Sequence, residues 1–359
     1  NLFVFLEISS LSTYALIALG RDRRALTAAF QYLVLGTTGA TFYVIGIGML
    51  YLATGTLNHA DLAARLPAVT DARPVVAGFA FIAVGIALKA AVFPLHAWLP
   101  NAYAYAPSAV SAFIAGTATK VSLYVLMRMT YVVFGSSAAL RDVPVGGLLA
   151  AVATAGLVLA SASALFQKDV KRMLAYSSVG QIGYIALGIS LASVGGATAA
   201  LAHVVNHGLT KSALFLLAGA MALRLGGTGF DRMAGVGRTM PVTSFAFVLM
   251  GFSLIGVPGT AGFVTKWALV TAAMEGGHWW MAAVVLASSL ISLAYVWRFA
   301  ECAYFRAPPA GAPAPGEAPL EMTGPALSLA ALVIALGMHA SPLLEACTRG
   351  ARALLGLAP

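Results

Sequence analysis

Residues 26–53 read LTAAFQYLVLGTTGATFYVIGIGMLYLA, 28 positions without one charged side chain. At 1.5 Å rise per residue this run makes a helix of about 42 Å, enough to cross the roughly 30 Å hydrocarbon core of a bilayer. It is not an isolated case. The whole 359-residue chain is 60% hydrophobic and 9% charged, with mean hydropathy +0.89, whereas a soluble domain carries about 25% charged residues. No water-facing surface can be made from so few charges. The chain is an integral membrane protein. A transmembrane β-barrel would alternate polar and apolar residues in segments of about 10, and these runs are too long and too uniformly apolar for that.

Outward from residues 26–53, apolar stretches bounded by charges, Gly or Pro predict ten helices: 1–19, 26–53, 74–93, 107–127, 145–165, 173–193, 199–223, 241–274 (interrupted), 279–297 and 324–345. Alternating loops place eleven cations on one side (Arg21, Arg23, Arg24, Lys168, Lys171, Arg172, Arg224, Arg232, Arg238, Arg298 and Arg306). The other side holds six: Arg65, Arg73, Arg128, Arg141, Arg349 and Arg352. The positive-inside rule makes the first side cytoplasmic. Residues 306–323, rich in Pro, Ala and Gly, read as a cytoplasmic linker. Cys302 is then expected at the cytoplasmic face and Cys347 at the opposite one. The chain begins inside an apolar run without a signal-peptide pattern, which reads as a sequence lacking its natural start.

Several function classes fall away. The net charge of +9 comes without a basic run or stripe, so nucleic acid is not a partner. The two cysteines stand far apart, and there is no CxxC, zinc spacing, P-loop, dinucleotide fingerprint or GxSxG elbow. No cofactor and no metal is expected, and the chain carries no recognisable redox or ATPase centre.

Four of the 21 cations remain unplaced: Lys89, Lys120, Lys211 and Lys266 lie inside helices, as does Glu7. Each charge near the bilayer centre costs about 2.5–3.5 kcal/mol on insertion scales. Snorkelling and structural ion pairing are the ordinary explanations; a proton pathway is the other. A second cluster, HVVNHGLTK, puts His203, His207 and Lys211 on one stripe at i, i+4, i+8, with Asn206 and Thr210 beside it. Two histidines without a nearby carboxylate or cysteine make a poor metal site. Two helices are also interrupted, at Pro94 and Pro100 after Lys89 and at GVPGTAGF before Lys266. Paired interruptions of this kind mark transport sites, because unwound backbone at membrane depth survives only beside a polar cavity. SSLSTYALIALG at 9–20 and SSVGQIGYIALG at 177–188 agree at six of twelve positions and run in opposite senses, as inverted repeats do.

These blocks carry a family resemblance: FLEISSLSTYALIAL (5–19), LKAAVFPLHAWLPNAYAYAPSAVSAFIAGTATKVSLYVLMR (88–128), FQKDVKRMLAYSSVGQIGYIALG (166–188), HVVNHGLTKSALFLLAG (203–219) and GVPGTAGFVTKWAL (256–269). The chain resembles the antiporter-like, proton-translocating subunits shared by Mrp-type cation/proton antiporters, respiratory complex I and membrane-bound hydrogenases. The resemblance implies an all-α integral membrane fold of about fourteen helices with two inverted repeats, each holding a broken helix. This chain would begin at the fifth helix, its first repeat truncated at the N-terminus. Residues 1–140 would be the first repeat, 141–305 the second, 306–323 the linker, and 324–359 a last helix and tail.

Lys120, in TATKVSLYVL, favours a likeness to the D-type subunits of Mrp antiporters, with a complex I or hydrogenase subunit as the alternative. Residue by residue, the resemblance implies a proton relay. Glu7 matches the family's paired glutamate, Lys89 the lysine of the first broken helix and Lys120 the bridging lysine. His203 and His207 match the histidines of the linking helix, with Lys211 in the same motif, and Lys266 the exit lysine. The implied setting is the cell (inner) membrane, with other membrane subunits as partners, protons as cargo, and Na+ or K+ as exchanged cation. A redox enzyme and a structural scaffold are the competing classes. The first lacks cofactor motifs, and the second leaves four intramembrane lysines unexplained.

Overall fold

The structure, a computed structural model, describes residues 1–20, 22–69, 71–135, 143–308 and 316–358. Two expected loop cations, Arg21 and Arg141, lie outside these residues, as do the proposed repeat boundary at 140/141 and the middle of the expected linker. The described residues are helical, with a single isolated bridge between Asp169 and Gly229. In chain order the first helices are α1 (Leu2–Ala18), α2 (Arg23–Thr54), the short α3 (His59–Arg65), α4 (Ala72–Ala90), α5 (Leu99–Tyr105) and α6 (Ser108–Met127). Next, α7 (Val145–Ala155) and α8 (Ser161–Leu165) are joined through a π-helical stretch, Gly156–Ala160, into one bent rod. They are followed by α9 (Val170–Ser190), α10 (Val194–Leu225), the one-turn α11 (Phe230–Met233) and α12 (Val236–Thr239), α13 (Pro241–Ile255) and α14 (Ala261–Glu275). The chain closes with α15 (Trp279–Phe305), α16 (Leu320–Met338) and α17 (Ser341–Leu354).

Among the described residues, seven stretches are long and apolar enough to cross a membrane, and α1 and α13 are shorter apolar helices. Helix α9 is of spanning length but too polar for that group. Packing explains it: 18 of its 21 residues are buried, so protein, not lipid, surrounds it. Exposed Phe5, Phe30, Leu52, Leu148, Leu290 and Trp297 instead form the apolar outer surface. Helix ends follow ordinary chemistry. Asp22, Asp169, Ser193 and Thr260 each accept a backbone N–H at the start of a helix, and Gly55 and Gly226 close α2 and α10 in the left-handed conformation.

The expected spans correspond to α1, α2, α4, α6, α7–α8, α9, α10, α13–α14, α15 and α16. Their ends sort into two sets. Leu19, Gly20, Asp22, Arg24, Tyr105–Ser108, Lys171, Arg172 and Gly226–Thr228 share one cavity of about 610 Å³. Tyr131, Phe134, Val143–Gly146, Ile189, Ser190 and Ala353–Gly356 share another, of about 710 Å³. This matches the alternation read from the loops.

Two expectations are corrected. The last span does not continue to 345. It stops at Met338, and Pro342 opens a separate helix, α17, whose Leu343, Cys347, Ala351 and Leu354 repeat at helical spacing and are buried. That face packs on α10. The linker 306–323 is not loose throughout either. Helix α16 already starts at Leu320, and the Glu317 carboxylate caps α13 by accepting from the Val242 N–H at 2.6 Å. Both cysteines are buried, and the Cys302 thiol donates to the Phe230 carbonyl.

Helix α10 is the axis of the molecule, packing against α6, α9, α13, α14, α16 and α17. Small residues set how closely its neighbours approach. A Cβ on Gly116 of α6 would collide with Ser212 Oγ of α10, so glycine there brings Lys120 against the histidine stripe. A Cβ on Gly262 of α14 would overlap the Ser253 carbonyl of α13, so only glycine lets the two halves of the broken helix meet. Gly262→Ala is therefore expected to lower stability by about 1–3 kcal/mol. Thermal unfolding of the purified protein reads this, and an unchanged midpoint would refute the contact.

Candidate functional site

The break after α4 is abrupt. Ala91 takes the left-handed backbone region at φ 55°, and the chain runs through turns to α5. Lys89, two residues before Ala91, donates to Glu7 Oε1 at 2.5 Å and to Ser10 Oγ at 2.8 Å, both on α1. The Lys89 side chain is 8% exposed and that of Glu7 22%. Among the described residues this is the one ion pair that is not at the surface; the other four are exposed.

The other three inward lysines pair with no carboxylate among the described residues. Lys120 is buried and donates to the Ala115 carbonyl of its own helix and, at 3.4 Å, to Thr119 Oγ1. Lys211 is fully buried, its ammonium on the Leu174 carbonyl at 2.9 Å and on Ser177 Oγ of α9. Lys266 reaches back across the second break. It donates to the Leu254 and Ile255 carbonyls at 2.7 and 3.0 Å and to Ser289 Oγ at 3.0 Å, over the Tyr184 ring at 4.4 Å. Those carbonyls are the last of α13, where the helix dipole is negative and no next turn accepts them. The interruption thus supplies the ligands of this ammonium.

His203 and His207 stack along α10 with ring centroids 6.2 Å apart, yet their surroundings differ. His203 has Thr265 Oγ1 at 2.8 Å from Nδ1 and Gln181 Oε1 at 3.0 Å from Nε2. His207 is buried with neither ring nitrogen partnered among the described residues. A buried polar group without a partner is costly and uncommon, and here it marks a spot suited to internal water. Between the histidines and Lys211, Asn206, Thr210 and Ser253 form a closed hydrogen-bonded triad.

The structure therefore gathers His203, His207, Lys211 and Lys266 with α6's Lys120 around α10, and holds Glu7–Lys89 on the far side of α6. Residues missed from the sequence are Gln181, Tyr184, Thr265, Ser253 and Ser289. A signal for α9 was present: Ser177, Gln181 and Tyr184 recur at i, i+4, i+7, a polar stripe within a helix. Lys171, counted with the loop cations, is in fact buried and donates to the Ala106 carbonyl at 2.7 Å.

Comparison with known proteins agrees with this arrangement. The family described as "NADH:quinone oxidoreductase/Mrp antiporter, TM" matches residues 1–292. The N-type subunit of NADH-quinone oxidoreductase from Desulforudis audaxviator (strain MP104C) is 45% identical over 354 residues, covering 94% of this chain and 69% of that protein. The D-type subunit of the Na(+)/H(+) antiporter from Alkalihalophilus pseudofirmus is 32% identical over 293 residues, 82% of this chain and 59% of that one. Among solved structures, a chain of the membrane-bound sulfane sulfur reductase, an archaeal respiratory membrane complex, superposes with TM-score 0.91 at 35% identity, covering 99% of this chain and 71% of its own. A chain of the Mrp complex from Dietzia sp. DQ12-45-1b gives 0.90 at 28%, covering 99% and 74%. This multi-pass membrane chain belongs to the NADH:quinone oxidoreductase/Mrp antiporter transmembrane family.

Proposed function

We propose that the chain is a proton-translocating subunit of a multi-subunit membrane complex, relaying protons through Glu7, Lys89, Lys120, His203, His207, Lys211 and Lys266. One observation carries this reading: three lysines and two histidines are buried around α10 without a carboxylate in contact among the described residues. A fold gains no stability from unpaired buried cations, so their presence speaks for use. A lysine in water holds its proton at neutral pH; removal from water weakens that hold, and a nearby carboxylate restores it. Glu7 supplies the restoring charge at Lys89, and neutral hydroxyls and carbonyls surround the rest. Residues 1–140 serve as the uptake half, with Lys89 beside its broken helix, and 141–305 as the release half, with Lys266 beside the other. Bound waters complete the path past Lys120 and the histidines.

Of the two settings, the greater identity to relatives named as N-type subunits of NADH-quinone oxidoreductase supports a redox-driven complex more strongly than an Mrp-type cation exchanger. Copurification decides it. Flavin and iron–sulfur subunits among the partners support the first, and small antiporter subunits the second. In sealed vesicles of the isolated complex, lumenal acidification driven by electron transfer or by a Na+ or K+ gradient tests the relay. A complex that performs its reaction while moving no protons through this subunit would overturn it.

A further inference from the structure

Thr265 Oγ1 lies between two acceptors. His203 Nδ1 is 2.8 Å away and the Gly262 carbonyl 3.2 Å away. A hydroxyl has one proton to donate and two lone pairs with which to accept, while an amide oxygen only accepts. With Gln181 Oε1 at 3.0 Å from Nε2, that nitrogen carries a proton in either charge state of the ring. In the neutral ring, Nδ1 accepts the Thr265 proton. In the charged ring, Nδ1–H donates to Thr265 Oγ1, and the hydroxyl proton turns to the Gly262 carbonyl. Both states are fully hydrogen-bonded, and they differ by one hydroxyl rotation with no movement of the imidazole. His207, one turn away, has no such support at either nitrogen among the described residues.

We propose that Gln181 and Thr265 are positioning residues that hold His203 as a fixed proton station, and that Thr265 reports the charge of His203 to the half-helix carrying Lys266. The link is short. Gly262 is in the first turn of α14, at its tightest contact with α13. Its carbonyl is also the intrahelical acceptor for the Lys266 backbone N–H, by the i to i−4 rule. A hydroxyl that bonds this carbonyl only when His203 is charged couples arrival of a proton to the turn that orients the exit lysine. The proton balance is simple: Nδ1 gains one proton from the wire, the threonine keeps its own, and release of the Nδ1 proton reverses the rotation. The other titratable groups facing His203 are His207 on α10, Tyr184 on α9, Lys120 on α6 and Lys266 on α14.

This inference rests on the relay reading, and its test separates the two. Thr265→Val keeps the shape and removes the hydroxyl; Thr265→Ser restores it; Gln181→Met removes the Nε2 acceptor from a different helix. Each is placed in the intact complex in sealed vesicles, assembly is quantified, and acidification is recorded across pH. Valine cannot accept the second ring proton, so more acid is needed to charge the station. Thr265→Val is expected to slow translocation about tenfold and to move half-maximal transport about one pH unit toward acid. Thr265→Ser should recover both, and Gln181→Met should give the same pair of changes. Where Thr265→Val fails to assemble, Gln181→Met decides alone. A merely structural role would change the amount of complex and leave the pH profile of the assembled fraction in place, which overturns the proposal. If the profile is unmoved while His203→Phe still blocks transport, the clamp is wrong and the relay stands. If His203→Phe also translocates at the wild-type rate, the relay reading itself falls, and the clamp with it.

Discussion

Lys266→Met is expected to insert and assemble normally and to lose proton translocation by at least about 100-fold, the scale on which a positioned proton-transfer group acts. The expectation of normal assembly follows from opposing magnitudes. Methionine strands the Leu254 and Ile255 carbonyls and Ser289, which now accept from the ammonium, and each stranded buried group costs about 1–3 kcal/mol. Against this, the substitution deletes a buried cation that has no carboxylate in contact among the described residues, and replacing buried charge by an apolar side chain of similar volume often gains about 1–4 kcal/mol. The two nearly cancel. The methionine stem also follows the lysine stem past Gly256, which lies against Lys266 Cδ. Function has no such compensation, because a thioether carries no proton. Lys266→Arg provides the second arm. Arginine keeps the charge and several donors but cannot deprotonate in a protein, so it should assemble and also fail. Vesicle acidification normalised to assembled complex reads both, and wild-type translocation by either variant would remove Lys266 from the path.

How much of this was legible in the sequence depends on what kind of signal each feature leaves. Spans are written in runs of apolar residues, and the ten expected from the chain coincide with observed helices because lipid imposes that pattern residue by residue. The breaks were legible for a related reason: Pro94, Pro258, Gly259 and Gly262 act through local backbone chemistry. Helix α16 ends early because Met338 is followed by a tail whose apolar positions have helical spacing without uniform apolarity. A hydropathy reading merges such a tail with the span before it. The inward lysines and histidines stood out because charge is rare in lipid, yet what holds each of them was not readable. Gln181, Thr265 and Ser289 are ordinary polar residues in sequence, and only the crossing of α9, α14 and α15 near α10 turns them into partners. Lys171 was misplaced for the opposite reason. It sits in a charged loop-like stretch, DVKR, where a surface position is the default, but α5 and α9 close over it.

Glu7→Gln is expected to lower proton translocation severalfold and, unlike Lys266→Met, not to abolish it. The amide keeps the shape of the carboxylate, and its oxygen still accepts from Lys89, so the 2.5 Å contact and the Ser10 bond at 2.8 Å can persist. What is lost is the charge. Two unit charges at 4 Å attract by about 4 kcal/mol at an effective dielectric near 20. Part of this is screened here, since the Glu7 side chain remains 22% exposed. The loss therefore falls on how firmly Lys89 holds its proton before passing it on, and not on the integrity of the path. Lys120, His203, His207, Lys211 and Lys266 keep all their hydrogen bonds, because none of those bonds reaches α1. Glu7→Asp sharpens the test: it retains the charge but withdraws it by one methylene, so it should fall between wild type and Glu7→Gln. Measured in the same vesicles, a graded order of wild type, aspartate and glutamine ties the rate to the strength of the ion pair. An unaltered rate in Glu7→Gln would show that the pair is structural, and that Lys89 exchanges its proton without help from the carboxylate beside it.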